Sequence, residues 1–211
     1  MVSALLKSAS KAGIACDETG KRGFNNIPEH LTGELDESLK RLGVETIDLY
    51  YIHRRDPSLP IEEVTETLVG FIKSGKIKQF GFSEISPTSL ARANAIHPVG
   101  AVQSEYSLST RAPELGLIQK TAALGTSLIA FCPVGRSLLT NKPHSSEQAE
   151  PMPFLVNNPR FFEPNLSNNV KGTNGFRALA SQMGVQASSL AIAWLLHQGD
   201  HVLPIPGTQS V

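Results

Sequence analysis

A chain of 211 residues with 40% hydrophobic content can bury one good core, so a single domain over residues 1–211 is the expectation. Lysine plus arginine equals aspartate plus glutamate at 19 each, and this balance points to neither nucleic acid nor a membrane as a partner. Cys16 and Cys132 lack CxxC spacing and no run approaches the roughly 20 apolar residues of a membrane span, so zinc and disulfide frameworks are set aside and a reducing, cytoplasmic setting is expected.

Taken in order, residues 2–10 alternate loosely and read as a short strand that ends at Lys11, before the small Ala12 and Gly13. The polar, glycine-containing DETGKRGFNN then reads as loop. Pro28 at a first helical position opens PEHLTGELDESLKRLG, with Leu31, Leu35, Leu39 and Leu42 on one face and Gly43 as the cap. The next run, TIDLYYI over residues 46–52, is β-branched or aromatic apart from Asp48 and Leu49, short enough for a strand buried on both faces. It stops at His53. A polar imidazole followed by Arg54, Arg55 and Asp56 then stands at the carboxyl end of a buried strand, where parallel α/β folds place their chemistry. The plain alternative is a histidine that only ties down a neighbouring loop.

The unit repeats. PSLPIEEVTETLVGFIKSG carries Val64, Leu68, Phe71 and Ile72 at helical spacing between Pro60 and Gly75, and residues 77–83 form the next strand. Pro87 starts a helix through Leu90 and Ala93 to Ile96, followed by a strand over 100–106. A helix over 114–124, closed by Gly125, leads to a strand over 127–132. Residues 140–169, rich in proline, asparagine and serine, are too long for a routine connection and read as a flap across the site with no legible chemistry of its own. Helices are predicted over 170–183 and from Ser188, the second with Leu190, Ala193, Trp194 and Leu196 facing the sheet, before a last strand over 201–205.

About six βα units with parallel strands suit a (β/α) barrel or a doubly wound sheet, and the lack of a GxGxxG after any strand favours the barrel. The predicted fold class is therefore α/β, an incomplete (β/α)8 TIM barrel of about six parallel strands with surrounding helices. Its strand ends would gather Lys11, His53, Ser83 with Glu84, Gln103 with Glu105, Phe131 with Cys132, and Gly207 with Thr208. Packing alone does not call for so polar a mouth.

The segments ESLKRLGVETIDLYYIHRRDP, GKIKQFGFSEIS, AVQSEYSLSTR, IAFCPVGRSLLT and LAIAWLLHQGDHVLPIPGT resemble the aldo-keto reductase family, over about residues 11–208. The resemblance implies an NADPH-dependent oxidoreductase that passes hydride to a small aldehyde or ketone without a metal. It implies that His53 orients or polarises the carbonyl and that Lys11 is the family's tuning lysine. It further implies that Ser83 and Gln103 hold the nicotinamide carboxamide, with Glu84 where many relatives carry Asn, and that Phe131 stacks on the ring. Pro133, Val134, Gly135 and Arg136 match the loop over the pyrophosphate, and Gly207 and Thr208 lie in the closing cofactor segment.

Measured against the family pattern, the two strands that carry its Asp and its proton-donating Tyr have no counterpart after Met1, and no basic residue follows PIPGT to select NADP over NAD. The expectation is a chain truncated at both ends, impaired as a reductase, with open barrel edges that favour self-association. The alternative is a noncatalytic remnant that binds a nucleotide or a protein.

Overall fold

Proline and glycine set the ends of the helices in the first half of the chain. The computed structural model describes residues 8–16 and 18–207. In it, strand β1 (Ala9–Ala12) is followed by a two-stranded antiparallel hairpin of β2 (Ile14–Cys16) and β3 (Arg22–Phe24). This hairpin corrects the expectation of plain loop. The alternation of Ile14 and Cys16 with Ala15 is too short to register as a sequence pattern. Residues 2–7 of the strand predicted over 2–10 lie outside the described residues.

Helix α1 (Pro28–Leu42) starts with proline at its first turn, where a missing N–H costs nothing, and ends at Gly43, whose φ of 65° admits the left-handed cap. Leu31, Leu35 and Ser38 are its buried face, while Leu42 stays 46% exposed, so the last of the four predicted leucines falls off the stripe. Strand β4 (Ile47–Ile52) is buried at every position except Asp48. That carboxylate accepts from the Ser8 backbone N–H and hydroxyl and pairs with Lys78 at 2.6 Å, which explains a charged residue within an apolar strand. Helix α2 (Ile61–Lys73) buries Ile61, Val64, Leu68 and Phe71, and β5 (Ile77–Ser83), α3 (Pro87–Ile96), β6 (Ala101–Glu105), α4 (Leu117–Leu124) and β7 (Ser127–Phe131) continue the alternation as predicted.

The second half is less regular. Residues 140–169 form a packed structure instead of an irregular flap: α5 (Ser146–Ala149), a 3-10 turn at Pro159–Phe161 and the start of α6 (Asn165–Gly172). Leu138, Ala149, Leu155, Phe161 and Leu166 make a core of their own there, with Met152 and Val170 against it. The single helix predicted over 170–183 is two, because α6 ends at Thr173 and α7 (Asn174–Gln182) begins there. Helix α8 (Ala187–Leu196) buries Ala187, Ala191 and Leu195. Leu196 is 54% exposed, so the predicted face is rotated. Nearly uniform apolarity along LAIAWLL leaves no polar face to fix the phase. Strand β8 (Val202–Ile205) follows.

The six strands β1, β4, β5, β6, β7 and β8 form one sheet in that order, parallel as in a (β/α)8 barrel. The chain divides into two compact units, Met1–Ser104 with Pro113–Ile129, and Glu105–Ala112 with Ala130–Val211. Within the first, Lys11 is in register with Tyr51, Tyr51 with Gly81, and Gly81 with Ala101, so one row crosses four strands on one face. Gly81 lies under the Tyr51 ring: a Cβ there would stand 2.7 Å from that ring and 2.5 Å from the Ala101 carbonyl oxygen. No single helix among the described residues is long and apolar enough to cross a membrane.

Candidate active site

In the first unit the alternation of side chains continues two residues beyond the row just described. Ser83 is in register with Gln103 on the face that carries Lys11, and His53 follows Tyr51 on the same side. The Lys11 ammonium donates to Gln103 Oε1 at 2.6 Å and lies 5.8 Å from the centre of the Tyr51 ring. This contact uses the acceptor half of the Gln103 carboxamide.

Ser83 is buried, and its hydroxyl donates to the Gln103 backbone carbonyl at 3.2 Å. The same carbonyl accepts from the Glu84 N–H at 2.9 Å. Glu84 itself sits at φ 54°, a left-handed conformation in which asparagine is the more comfortable residue, and this matches the Asn that the resemblance places there.

The His53 N–H donates to the Ala12 carbonyl at 2.7 Å, joining the ends of β4 and β1. Its imidazole is half-buried. Burial first, then the positive charges of Lys11, Arg54 and Arg22, hold its pKa below the ordinary 6.5. Burial and the Arg54 guanidinium likewise lower Lys11. The site favours a neutral imidazole beside cations, an arrangement suited to stabilising charge that develops on an oxygen.

In the second unit, Glu105 at the end of β6 is the centre of a charge cluster. Arg160 Nη1 donates to it at 2.7 Å and Arg136 Nη2 at 3.2 Å, while the Thr110 hydroxyl donates at 3.2 Å and accepts from Arg160 at 2.8 Å. Burial pushes the Glu105 carboxyl up, but the hydrogen bond and charge of Arg160, with those of Arg136, outweigh it and hold the pKa below the ordinary carboxylate value. Two guanidiniums share one carboxylate, which leaves a positive excess. Arg136 Nε is buried without a partner among the described residues.

Phe131 ends β7 half-buried, its carbonyl accepting from the Tyr106 N–H at 3.3 Å. The loop that follows turns sharply: Cys132, Gly135, Arg136 and Ser137 all have positive φ. Gly135 is required there, since a Cβ would collide with the Ser109 hydroxyl. Its N–H closes the turn onto the Cys132 carbonyl at 2.9 Å. Pro133, Val134, Arg136 and Gly207 line a cavity of about 470 Å³, together with His144 and Met152. Thr208 lies outside the described residues.

Sequence reasoning missed Arg160 and Asn26. Arg160 sits in the stretch whose composition carried no pattern, and only NPR, with Asn158 capping the 3-10 turn at 3.2 Å, marked a structured corner. Asn26 lay in a segment read as loop, yet it is 1% exposed, an unusual burial for a carboxamide.

Residues 7–211 match the sequence model of the aldo/keto reductase family. An aldo-keto reductase of Schizosaccharomyces pombe, whose name carries NADP(+), is 38% identical over 92% of this chain and 58% of its own length. A probable aldo-keto reductase of Glycine max is 39% identical over 98% of this chain and 59% of its own length. The chain thus spans under two thirds of these curated relatives. Among solved structures, a glycerol dehydrogenase of Gluconobacter oxydans superposes with a TM-score of 0.79 at 26% identity, covering 93% of this chain and 62% of the other. The chain belongs to the aldo/keto reductase family.

Proposed function

We propose that this chain is the carbonyl-reducing part of an NADPH-dependent aldo-keto reductase, read as one domain and acting on a small aldehyde or ketone in the cytoplasm. The observation that carries the reading is the Lys11–Gln103 hydrogen bond, because it joins the predicted catalytic lysine to the predicted carboxamide reader across 92 residues of sequence. When bound, the cofactor would supply hydride. The residues present fit such a group. Arg136, with a buried Nε that has no partner among the described residues, lines a cavity with Pro133, Val134 and Gly207, and this donor set suits phosphate oxygens. Ser83 and Gln103 would hold the nicotinamide carboxamide, Phe131 would stack on the ring, and Gly207 and Thr208 belong to the closing cofactor segment.

The chain's own chemistry is electrostatic. Lys11, Arg54 and Arg22 make the surroundings of His53 positive, so a carbonyl oxygen there would be stabilised as it gains charge. His53 would donate a hydrogen bond from its neutral ring and orient the carbonyl. The preference for NADP over NAD rests on the family, and the reading includes a chain that is impaired as a reductase and self-associates.

The test has two arms: NADPH oxidation with a panel of aldehydes, and titration of NADPH by fluorescence against Arg136→Ala and Gln103→Ala. Arg136→Ala is expected to lose about tenfold to hundredfold in affinity, the worth of one charge-assisted hydrogen bond, and Gln103→Ala about twofold to tenfold, the worth of a neutral one. Unchanged affinity in both would leave the noncatalytic alternative standing.

A further inference from the structure

Asn26 is the most buried polar side chain near His53, at 1% exposure. Its carboxamide is used at both ends. Nδ2 donates to the Arg54 carbonyl at 3.2 Å, and Oδ1 accepts from the Asp56 N–H at 2.7 Å. Those two backbone groups belong to the first residues after His53. The neighbouring Asn25 N–H donates to the Gly13 carbonyl at 3.2 Å, which anchors the same stretch to the residue after β1.

Gly13 shows how closely the parts fit. At φ +94° it takes a conformation that other residues avoid, and a Cβ on it would stand 2.5 Å from Asn26 Nδ2 and 3.3 Å from the Arg54 carbonyl oxygen. On the other side, His53 is tied through its own N–H to Ala12. The backbone of His53 is therefore gripped before by β1 and after by Asn26.

We propose that Asn26 is a positioning residue for His53: its carboxamide clamps the backbone of residues 54–56, and so sets where the imidazole stands relative to Lys11. The inference rests on the role assigned above to His53. Residues 53–59 also bond among themselves, Arg55 Nη2 to the Leu59 carbonyl at 3.1 Å and the Ser58 N–H to Asp56 Oδ1 at 2.9 Å. Asn26, however, 30 residues from Asp56 in sequence, ties the turn to another segment. With the Arg54 carbonyl and the Asp56 N–H released, the turn would take up water and sample other conformations. Truncation to alanine removes both bonds and leaves the Arg54 carbonyl and the Asp56 N–H without that partner.

The test reads His53 directly. In the folded full chain, the ring signals of the six histidines are followed by NMR against pH in the wild type and in Asn26→Ala. The groups that face His53 are Lys11, Arg54 and Arg22. In the variant, His53 is expected to change its chemical shift and to titrate higher, toward the ordinary imidazole value, as its surroundings loosen. The ring signals of His30, His97, His144, His197 and His201 should keep their chemical shifts. A folded variant in which His53 does not move overturns the proposal, and so does one in which all six move together, which would make Asn26 a general structural residue. Should the variant not fold, amide hydrogen exchange in the wild type decides: the Asp56 N–H is expected to be protected about tenfold or more by its bond to Asn26, and exchange at the unprotected rate overturns the clamp. Neither readout needs turnover. NADPH affinity unchanged in both Arg136→Ala and Gln103→Ala, together with the expected His53 behaviour, would sink the functional reading and leave this one intact.

Discussion

Lys11 Nζ meets Gln103 Oε1 at 2.6 Å although β1 and β6 are three places apart in the sheet. Three interstrand steps span about 14 Å in a flat sheet, too far for side chains that stand perpendicular to it. The strands of the first unit must curl toward one another for these groups to touch, and Leu49, Tyr51 and Ala101 form one buried cluster on the same terms. The hydrogen bond is thus a local readout of barrel-like curvature. A double-mutant cycle of Lys11→Met and Gln103→Leu should give a coupling of about 1 to 3 kcal/mol in urea unfolding. Additive effects would mean that the two side chains do not meet in solution.

Gly81 permits the same curvature, because the Tyr51 ring occupies the space its side chain would take. Gly81→Ala is expected to cost about 1 to 3 kcal/mol, the usual penalty for overpacking a buried site. Gly70, on the solvent side of α2 with nothing within 4 Å, is the control. Alanine there should stabilise slightly, by about 0.5 to 1 kcal/mol, through helix propensity. Thermal unfolding of both variants checks the contrast, and equal shifts would contradict the close approach.

Glu105 balances two guanidiniums, with side-chain exposures of 14% for the carboxylate, 20% for Arg136 and 30% for Arg160. Glu105→Gln should destabilise the second unit by about 2 kcal/mol at neutral pH, since two cations lose their counter-charge. The acid dependence follows from a pKa lowered below 4.5 in the folded chain. A carboxylate of this kind contributes fully above its unfolded value, and the contribution is lost as pH falls through the folded one. The gap between wild type and variant, open at pH 7, should therefore close below about pH 4.5. Urea midpoints at pH 7 and pH 3 measure it.

How far the sequence could be read depended on the kind of signal each part carried. Strand β5 and helix α3 were predicted to the residue because Gly75, Pro87 and an apolar run each marked an end by backbone chemistry. The strand-end positions of His53, Ser83 and Gln103 were legible because each closes an apolar run, while Lys11, which follows the polar SAS, was reached through the resemblance. Arg160 and Asn26 were not, since their importance comes from partners 55 and 30 residues away, Glu105 and Asp56, and no local pattern encodes those distances. The face of α8 failed for the opposite reason: in LAIAWLL every side is apolar, and only packing chose Ala191 and Leu195. Register supplied what periodicity could not, by bringing Ser83 level with Gln103.

The last prediction is that the purified 211-residue chain turns over aldehydes slowly or not at all. Carbonyl reduction builds negative charge on oxygen, and a positioned acid contributes about 10² to 10⁴ in rate. The chain has three tyrosines, and none presents a hydroxyl to a substrate: Tyr50 and Tyr106 are 0% exposed and Tyr51 3%. Burial pushes the Tyr51 phenol up to about 12 and raises Tyr50 further, so neither gives up a proton readily. His53 is the acid that the family resemblance places at the carbonyl. Its pKa, lowered by burial and by Lys11, Arg54 and Arg22, leaves the ring neutral near pH 7, and the small protonated fraction shrinks further as pH rises. Whatever acid catalysis His53 supplies should therefore fall with increasing pH and vanish in His53→Ala. The measurement is NADPH oxidation with a reactive aldehyde across pH 5 to 8, wild type beside His53→Ala. Turnover around 1 to 10 per second, typical of ordinary enzymes, and indifferent to His53, would show that another group in the chain donates the proton.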